Sequence, residues 1–193
     1  MSYLKDRIIK DGVVYPNNVL KIDSFLNHQI DPVVMQEIEK EFYEHFKNYG
    51  ITKVLTIEAS GIAPAIMVAA HLEVPMLFAK KTEPSTLANN DRYEAKVHSY
   101  TKNKTSNVIV SKQYLDENDN VLIVDDFLAN GQAALGLADI VQQAGAKVAG
   151  IAICVEKTFQ DGRRLLEEAG YEVYSIARIS SLENEEVTFA EGN

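Results

Sequence analysis

The feature that most constrains the fold is the segment at residues 121–133, which reads Val-Leu-Ile-Val-Asp-Asp-Phe-Leu-Ala-Asn-Gly-Gln-Ala. Its four apolar residues predict a buried strand, and two acids, Asp125 and Asp126, follow that strand directly. A short loop with Gly131 then leads into a predicted helix. Because the first amides of a helix lack intrahelical partners, residues 129–133 could hold a phosphate group. The segment favours an α/β fold with an anion site, although such acids can also simply end a strand and cap a helix.

Strand-like and helix-like segments alternate along the rest of the chain. This alternation predicts βαβ units, and therefore a mainly parallel sheet flanked by helices on both faces. The loops at residues 58–61, 80–81 and 125–131 each follow a predicted strand, so we expect them to meet at the carboxyl edge of the sheet. Apolar runs predict strands at residues 54–57, 75–79, 121–124, 148–155, 173–179 and 187–189, after short extended segments at 13–23. Helical patterns are predicted at residues 2–11, at 32–49 with Asp31 as N-cap, from the turn at 58–61 through 71, at 133–144 and at 161–169.

Two of the loops carry further candidate anion-binding residues. Ser60 and Gly61 lie in a turn of small residues before a helix, where backbone amides could bind a second phosphate, although a turn that serves only packing would give the same pattern. Lys80 and Lys81 close the next strand and could balance a leaving anion, although solvated lysines at a strand end would give the same pattern. Two anion loops in one parallel sheet indicate a substrate with two phosphate groups.

Lys157 follows the long predicted strand at residues 148–155. Its ammonium group could donate to a ring carbonyl oxygen, and Phe159 is near enough in sequence to pack on a planar base. An ordinary exposed lysine is the alternative. Cys154 lies inside the apolar run, which favours packing over nucleophilic use.

Composition excludes several classes of protein. A length of 193 residues suits one domain with a real core, and a net charge of −9 argues against a nucleic-acid partner. No apolar run is long enough to span a membrane, and the N-terminal residues lack the apolar region of a signal peptide. The single cysteine rules out an internal disulfide. We therefore expect one cytoplasmic domain, with neither a nucleic acid nor a membrane as its partner.

Residues 82–107 differ from the rest of the chain, because their first ten residues are polar, contain Pro84 and show no helical period. A connection of this length inside a compact domain is usually a lid or a binding loop, and a disordered surface insertion is the alternative. Residues 93–101 could form one arm of a hairpin. The sequence predicts a flexible active-site loop at 82–107.

These motifs resemble the phosphoribosyl pyrophosphate (PRPP) signature of type I phosphoribosyltransferases. Three further segments, at residues 19–31, 56–65 and 156–159, are similar to the xanthine phosphoribosyltransferases of Gram-positive bacteria, and the likeness runs over essentially the whole chain. The resemblance implies one domain over residues 1–193 with the type I phosphoribosyltransferase fold. A small hood of about residues 1–30, with C-terminal contributions, would cover the base site. The family is usually homodimeric.

That family transfers the phosphoribosyl group of PRPP to xanthine, with Mg²⁺, and releases pyrophosphate, a reaction of purine salvage. By resemblance, Asp125 and Asp126 are the catalytic residues that bind the ribose hydroxyls, and Mg²⁺ is held through PRPP and water. The residues implied for the 5′-phosphate are Ala129, Asn130, Gly131, Gln132 and Ala133. Those implied for the purine are Leu20, Asn27 and Lys157, and those for the pyrophosphate are Ser60, Gly61, Lys80 and Lys81.

Three alternatives stay open at this point. A guanine and hypoxanthine enzyme would share the PRPP chemistry, although such enzymes place an acid in the loop where this chain has Ala129. An adenine enzyme is disfavoured, because a cationic donor such as Lys157 suits a 6-oxo group rather than an amino group. A non-enzymatic PRPP sensor that regulates transcription is disfavoured too, since only about thirty residues precede the core helix and the charge is acidic.

Overall fold

The predicted alternation of strands and helices is present in residues 2–81, 91–99 and 104–191, the part of the chain that the computed structural model describes. The strands are β1 (Val13–Tyr15), β2 (Val19–Lys21), β3 (Lys53–Ile57), β4 (Met76–Ala79), β5 (Arg92–Ser99), β6 (Lys104–Ser111), β7 (Asn120–Leu128), β8 (Lys147–Lys157), β9 (Val173–Ser181) and β10 (Thr188–Phe189). The helices are α1 (Tyr3–Asp11), α2 (Pro32–Phe46), α3 (Ile62–Leu72), α4 (Gln132–Gln143) and α5 (Gly162–Glu168).

The centre of the fold is a six-stranded sheet with the order β10-β9-β8-β7-β3-β4. Strands β4, β3, β7, β8 and β9 run parallel, and β10 pairs antiparallel with β9. The prediction of a mainly parallel sheet is therefore confirmed. Because β7, β3 and β4 are neighbours, the loops that follow them leave from the same edge of the sheet.

Helices cover both faces of this sheet because its strands are apolar on both sides. Leu122 and Val124 of β7 belong to a core shared with α1, α2 and α3. Their neighbours Val121 and Ile123 belong to a second core, which contains the apolar face of α4 and residues of the β5–β6 pair. The alternation along β7 thus directs successive side chains into two separate cores.

The start of α2 follows the predicted capping pattern. The side chain of Asp31 accepts a hydrogen bond from the amide of Val33 at 2.9 Å, and Pro32 occupies the first turn, where its missing amide costs nothing. The end differs from the prediction, since the helix stops at Phe46 rather than at residue 49. Tyr49 lies in the following turn, and its hydroxyl donates to Glu172 at 2.8 Å.

The strand β7 is longer than predicted and contains both acids. Its parallel ladder with β8 continues past them, since Phe127 pairs with Val155 and Leu128 with Glu156. The prediction that Asp125 and Asp126 follow the strand was therefore wrong by a few residues. The apolar run ends at residue 124, but the hydrogen-bonded ladder, which sets the strand end, depends on the partner strand.

Part of the predicted loop at 82–107 is regular structure. Strand β5 forms an antiparallel pair with β6, in which Arg92 faces Ser111, and this agrees with a hairpin arm beginning near residue 93. The partner strand β6 was missed, although Val108 and Val110 are buried against the sheet. Residues 82–90 and 100–103 lie outside the described residues, so the active-site loop stays a prediction.

The N-terminal segment packs around one end of the core. Helix α1 lies against α2 and β9, and the ammonium of Lys5 lies 5.7 Å from the centre of the Phe189 ring in β10. Strands β1 and β2 form a separate two-stranded sheet. The N-terminal and C-terminal segments therefore meet, while the role of residues 1–30 as a hood over a base remains a prediction. Among the described residues, no helix is long and apolar enough to cross a membrane.

Candidate active site

The structure brings the ends of β3, β4 and β7 together, as the loop pattern predicted. The amide of Glu58 donates to Ala79 O at 3.1 Å, and the amide of Lys81 donates to Glu58 Oε1 at 2.6 Å, so the first two loops are joined directly. A methyl group on Gly61 would lie 3.0 Å from Asp125 Oδ1. The turn after β3 therefore packs against the acids of β7.

Two carboxylates lie side by side at the base of this edge. Asp125 and Asp126 are 6% and 8% exposed, and the amide of Asp126 donates to Asp125 Oδ1 at 3.0 Å. Burial raises the pKa of Asp125 well above its usual range, and the negative charge of Asp126 raises it further. Lys81 opposes this shift. Such a pair favours ligands that donate hydrogen bonds or carry positive charge.

The loop between β7 and α4 has the backbone of an anion site. Gly131 adopts φ +77° and has no side chain that could cap the first amides of α4, a helix of 12 residues. Those amides therefore remain available to a ligand at the positive end of the helix dipole. Gly162 supports the loop from behind, because its amide donates to Ala129 O at 3.0 Å.

We expect Gly131→Ala to weaken the binding of PRPP, the ligand that the family resemblance implies, because the new methyl group would lie 3.0 Å from the Cα atom of Gly162 and the residue must keep a left-handed backbone. The KM for PRPP should rise about tenfold or more, together with a loss of about 1–2 kcal/mol in the free energy of unfolding. Gly170→Ala is the matched control, because Gly170 has φ +90° but open space around the new methyl group. It should lose similar stability and keep its KM. Equal KM values in the two variants would contradict the role of the loop.

Lys157 joins the end of β8 to the N-terminal segment. Its ammonium donates to Asn18 O at 2.8 Å and lies 5.9 Å from the centre of the Phe127 ring. Burial lowers the pKa of Lys157. Phe127 was missed by sequence reasoning, although it directly follows the two acids, while Phe159, named there, is 40% exposed.

The other predicted purine contacts lie in the same N-terminal segment but differ in exposure. Asn27 ends a short π-helical turn, and its Nδ2 donates to Asp126 Oδ2 at 3.4 Å. Leu20 is buried in the first core. The structure thus brings Asn27 to the acids and Lys157 to the β1–β2 turn, and it places Leu20 on the strand between them.

The residues predicted to bind pyrophosphate lie in two loops, one after β3 and one after β4. Ser60 and Gly61 form the turn before α3, and the tight fit of Gly61 arises from Thr56, whose hydroxyl a methyl group there would overlap. Lys80 is exposed, and its backbone is hydrogen-bonded to Ile109 of β6 in both directions at 2.9 Å. Lys81 is exposed beside Glu58. Thr56 was not singled out from the sequence, because a threonine inside an apolar strand gives no signal of its own.

The donor set for a metal is small. Among residues 2–81, 91–99 and 104–191, no group of three or more His, Cys, Asp or Glu side chains could hold a metal ion. Two adjacent buried carboxylates are the donors expected for Mg²⁺ when most of its ligands come from substrate phosphates and water. Cys154 is buried, and burial raises the pKa of its thiol, which agrees with a packing role.

The chain is similar in sequence and in fold to known phosphoribosyltransferases. The phosphoribosyl transferase domain family matches residues 23–187. A xanthine phosphoribosyltransferase of Staphylococcus aureus (strain JH9) is 61% identical over 188 residues, which cover 97% of each chain. An adenine phosphoribosyltransferase structure from Giardia lamblia, with 9-deazaadenine, has a TM-score of 0.77 at 24% identity and covers 94% of this chain and 99% of its own.

A second solved structure supports the fold. The adenine phosphoribosyltransferase of Rhodothermus marinus has a TM-score of 0.73 at 24% identity, covering 91% of this chain and 98% of its own. At this identity the likeness concerns the fold, whereas the staphylococcal relative is similar in sequence along nearly its whole length. The chain belongs to the phosphoribosyltransferase family and, within it, to the family of the staphylococcal xanthine phosphoribosyltransferases.

Proposed function

We propose that this protein transfers the 5-phosphoribosyl group of PRPP to xanthine, giving xanthosine 5′-monophosphate and pyrophosphate in purine salvage. The observation that carries this proposal is the meeting, at one sheet edge, of two buried acids with two strand-to-helix turns. A substrate with phosphate groups at both ends of a ribose fits two anion sites that flank a pair of carboxylates. The 61% identity to a xanthine enzyme supports the choice of base.

In this proposal, different residues bind different parts of PRPP. Residues 129–133 bind the 5′-phosphate through the first amides of α4, because these amides have no side-chain cap at Gly131. Asp125 and Asp126 accept hydrogen bonds from the ribose hydroxyls. The pyrophosphate end lies at residues 58–61 with Lys80 and Lys81, whose loops are joined by the Glu58 contact.

The purine lies between the N-terminal segment and the end of β8. Lys157 donates to the 6-oxo oxygen, and its contact with Asn18 O shows that its ammonium reaches that segment. Asn27 reads the 2-oxo side, with its amide already beside Asp126. Leu20 offers an apolar contact. Adenine has no oxygen at either position, so both donors favour xanthine.

Catalysis consists of positioning and charge stabilisation. The bond between C1 of the ribose and the pyrophosphate oxygen breaks, the sugar becomes cation-like, and a purine nitrogen attacks C1. The buried carboxylates lie near the ribose, where negative charge stabilises a developing cation. Lys80 and Lys81 stabilise the departing pyrophosphate. Xanthine ionises more readily than hypoxanthine, so the proton of its attacking ring nitrogen passes to water and the site needs no dedicated general base.

The donor set fits Mg²⁺ bound mainly by the substrate. Asp125 and Asp126 would hold it, because Lys81 only partly offsets the effect that burial and the charge of Asp126 have on the pKa of Asp125. When bound, the ion neutralises phosphate charge and so makes pyrophosphate a better leaving group. The cytoplasmic location is a prediction from the sequence and the homodimer is one from the family resemblance; cell fractionation and sedimentation check them.

We expect the purified protein, with PRPP and Mg²⁺, to convert xanthine faster than guanine, hypoxanthine or adenine, because its two proposed donors face both oxo groups. Nucleotide formation is followed by ultraviolet absorbance for each base, with and without Mg²⁺. Equal or faster use of another base would retain PRPP chemistry and contradict the base assignment. PRPP binding without turnover of any base would instead favour a non-enzymatic sensor.

A further inference from the structure

A buried ion pair lies next to the proposed site but outside the residues given roles above. Glu156, the residue before Lys157, is 1% exposed, and Arg163 binds both of its carboxylate oxygens at 2.8 and 2.7 Å. The same guanidinium donates to Val173 O at 2.9 Å and to Ser175 Oγ at 3.2 Å, both in β9. Arg163 therefore fastens the start of α5 to two strands of the central sheet.

The contact has the geometry of a positioning device. Two parallel hydrogen bonds between a guanidinium and a carboxylate fix orientation as well as distance. A buried ion pair by itself is weak evidence for stability, since desolvation offsets much of its attraction. Its specific contribution is therefore to hold α5, a helix of seven residues, in one place on the sheet.

The residue before Arg163 touches the phosphate loop. The amide of Gly162 donates to Ala129 O at 3.0 Å, and a methyl group on Gly162 would overlap that oxygen and lie 2.9 Å from Gly131 N. The backbone of α5 thus forms the rear wall of the loop. Any shift of this helix is passed to the amides that face the ligand.

We propose that Arg163 and Glu156 are positioning residues for the 5′-phosphate loop: their ion pair fixes α5, and Gly162 sets the position of residues 129–131. The inference rests on the proposed function, in which residues 129–133 bind the 5′-phosphate. Through β8, the same ion pair also connects this loop to Lys157 at the base side. Neither residue touches the substrate.

The test compares two adjacent arginines of α5. Arg164 pairs with Glu168 and Asp161 of its own segment and is exposed, so Arg164→Met is the matched control for Arg163→Met. Calorimetry measures binding of ribose 5-phosphate, which carries the 5′-phosphate alone, and of magnesium pyrophosphate, which has no 5′-phosphate. We expect Arg163→Met to weaken ribose 5-phosphate binding about tenfold or more and to leave pyrophosphate binding within about twofold. Arg163→Lys should be intermediate, because lysine keeps the charge but not the paired hydrogen bonds.

Two further variants keep the test decisive if Arg163→Met does not fold, since it leaves buried Glu156 with only the longer ion pair to Arg178 Nε at 3.5 Å. The double variant Glu156→Gln with Arg163→Met removes both charges together. Gly162→Ala acts on the loop from behind and leaves the ion pair in place. Both should show the same selective loss of ribose 5-phosphate binding.

Unchanged ribose 5-phosphate affinity in the folded double variant would overturn the inference, and so would equal losses for both ligands. A wild-type protein that binds ribose 5-phosphate, loses that binding in these variants and yet turns over no purine would contradict the proposed function alone. The two failures are therefore distinguishable.

Discussion

Replacing Asp126 with asparagine is expected to lower kcat/KM for PRPP about 10- to 150-fold, because one hydrogen bond to a charged acceptor contributes about 1.5–3 kcal/mol. Asp126 faces the N-terminal segment, where its carboxylate accepts from Asn27 Nδ2 at 3.4 Å. An amide at this position would offer a donor to a ribose hydroxyl that needs an acceptor. Steady-state kinetics at saturating xanthine measure the effect.

The same substitution at Asp125 has a consequence for stability as well as for activity. Burial and the charge of Asp126 already raise the pKa of Asp125, so the free protein bears the cost of keeping two adjacent carboxylates. We expect Asp125→Asn to lower activity as well, but to keep or raise the thermal midpoint. Asp126→Asn removes the same repulsion, so a selective activity loss without unfolding is expected for both.

The control for both acids is Asp139→Asn on the exposed face of α4, where the carboxylate accepts from Gln143 at 3.0 Å. It should leave kcat/KM unchanged. Wild-type kinetics in Asp126→Asn would contradict the assignment of the ribose site. A large fall in the thermal midpoint of Asp125→Asn would contradict the argument that the pair is held together at a cost in stability.

Most of the fold could be predicted because its signals are local. Asp31 and Pro32 mark the start of α2 within two residues, and the apolar runs of β3, β7 and β8 stand between clear turns. The strand β6 was missed because its polar first half resembles the loop before it. Its pairing with β5 depends on a register that periodicity does not reveal.

Some features of the candidate site could likewise be predicted from the sequence, and others could not. The two acids and Gly131 stand in one continuous segment, so their spacing alone predicts a ligand. The contact of Asn27 with Asp126 joins residues 99 apart in the chain, and Gly162 meets Ala129 only after α5 has packed on the sheet. Such contacts arise from tertiary structure, and the presence of a glycine or an arginine in a short helix does not predict them.

Replacing Lys157 with methionine is expected to lower kcat/KM for xanthine about 100-fold, because the variant loses one charged hydrogen-bond donor to a ring oxygen. Methionine keeps the length of the side chain, which is half-buried at the end of β8. The kcat/KM for adenine should change little or rise slightly, because the variant lacks the ammonium group that disfavours the 6-amino group of adenine. The ratio of kcat/KM values for xanthine and adenine is therefore the decisive measurement.

Lys147→Met provides the control, since Lys147 is exposed at the opposite end of the same strand. It should change neither value. An equal loss for xanthine and adenine in Lys157→Met would show that the lysine acts through the β1–β2 turn, where it holds Asn18 O at 2.8 Å, and not on the base. A loss confined to bases with a 6-oxo group has no such explanation, because a displaced turn would affect every purine. A selective loss, more than a large one, would therefore place the Lys157 ammonium beside the 6-oxo oxygen.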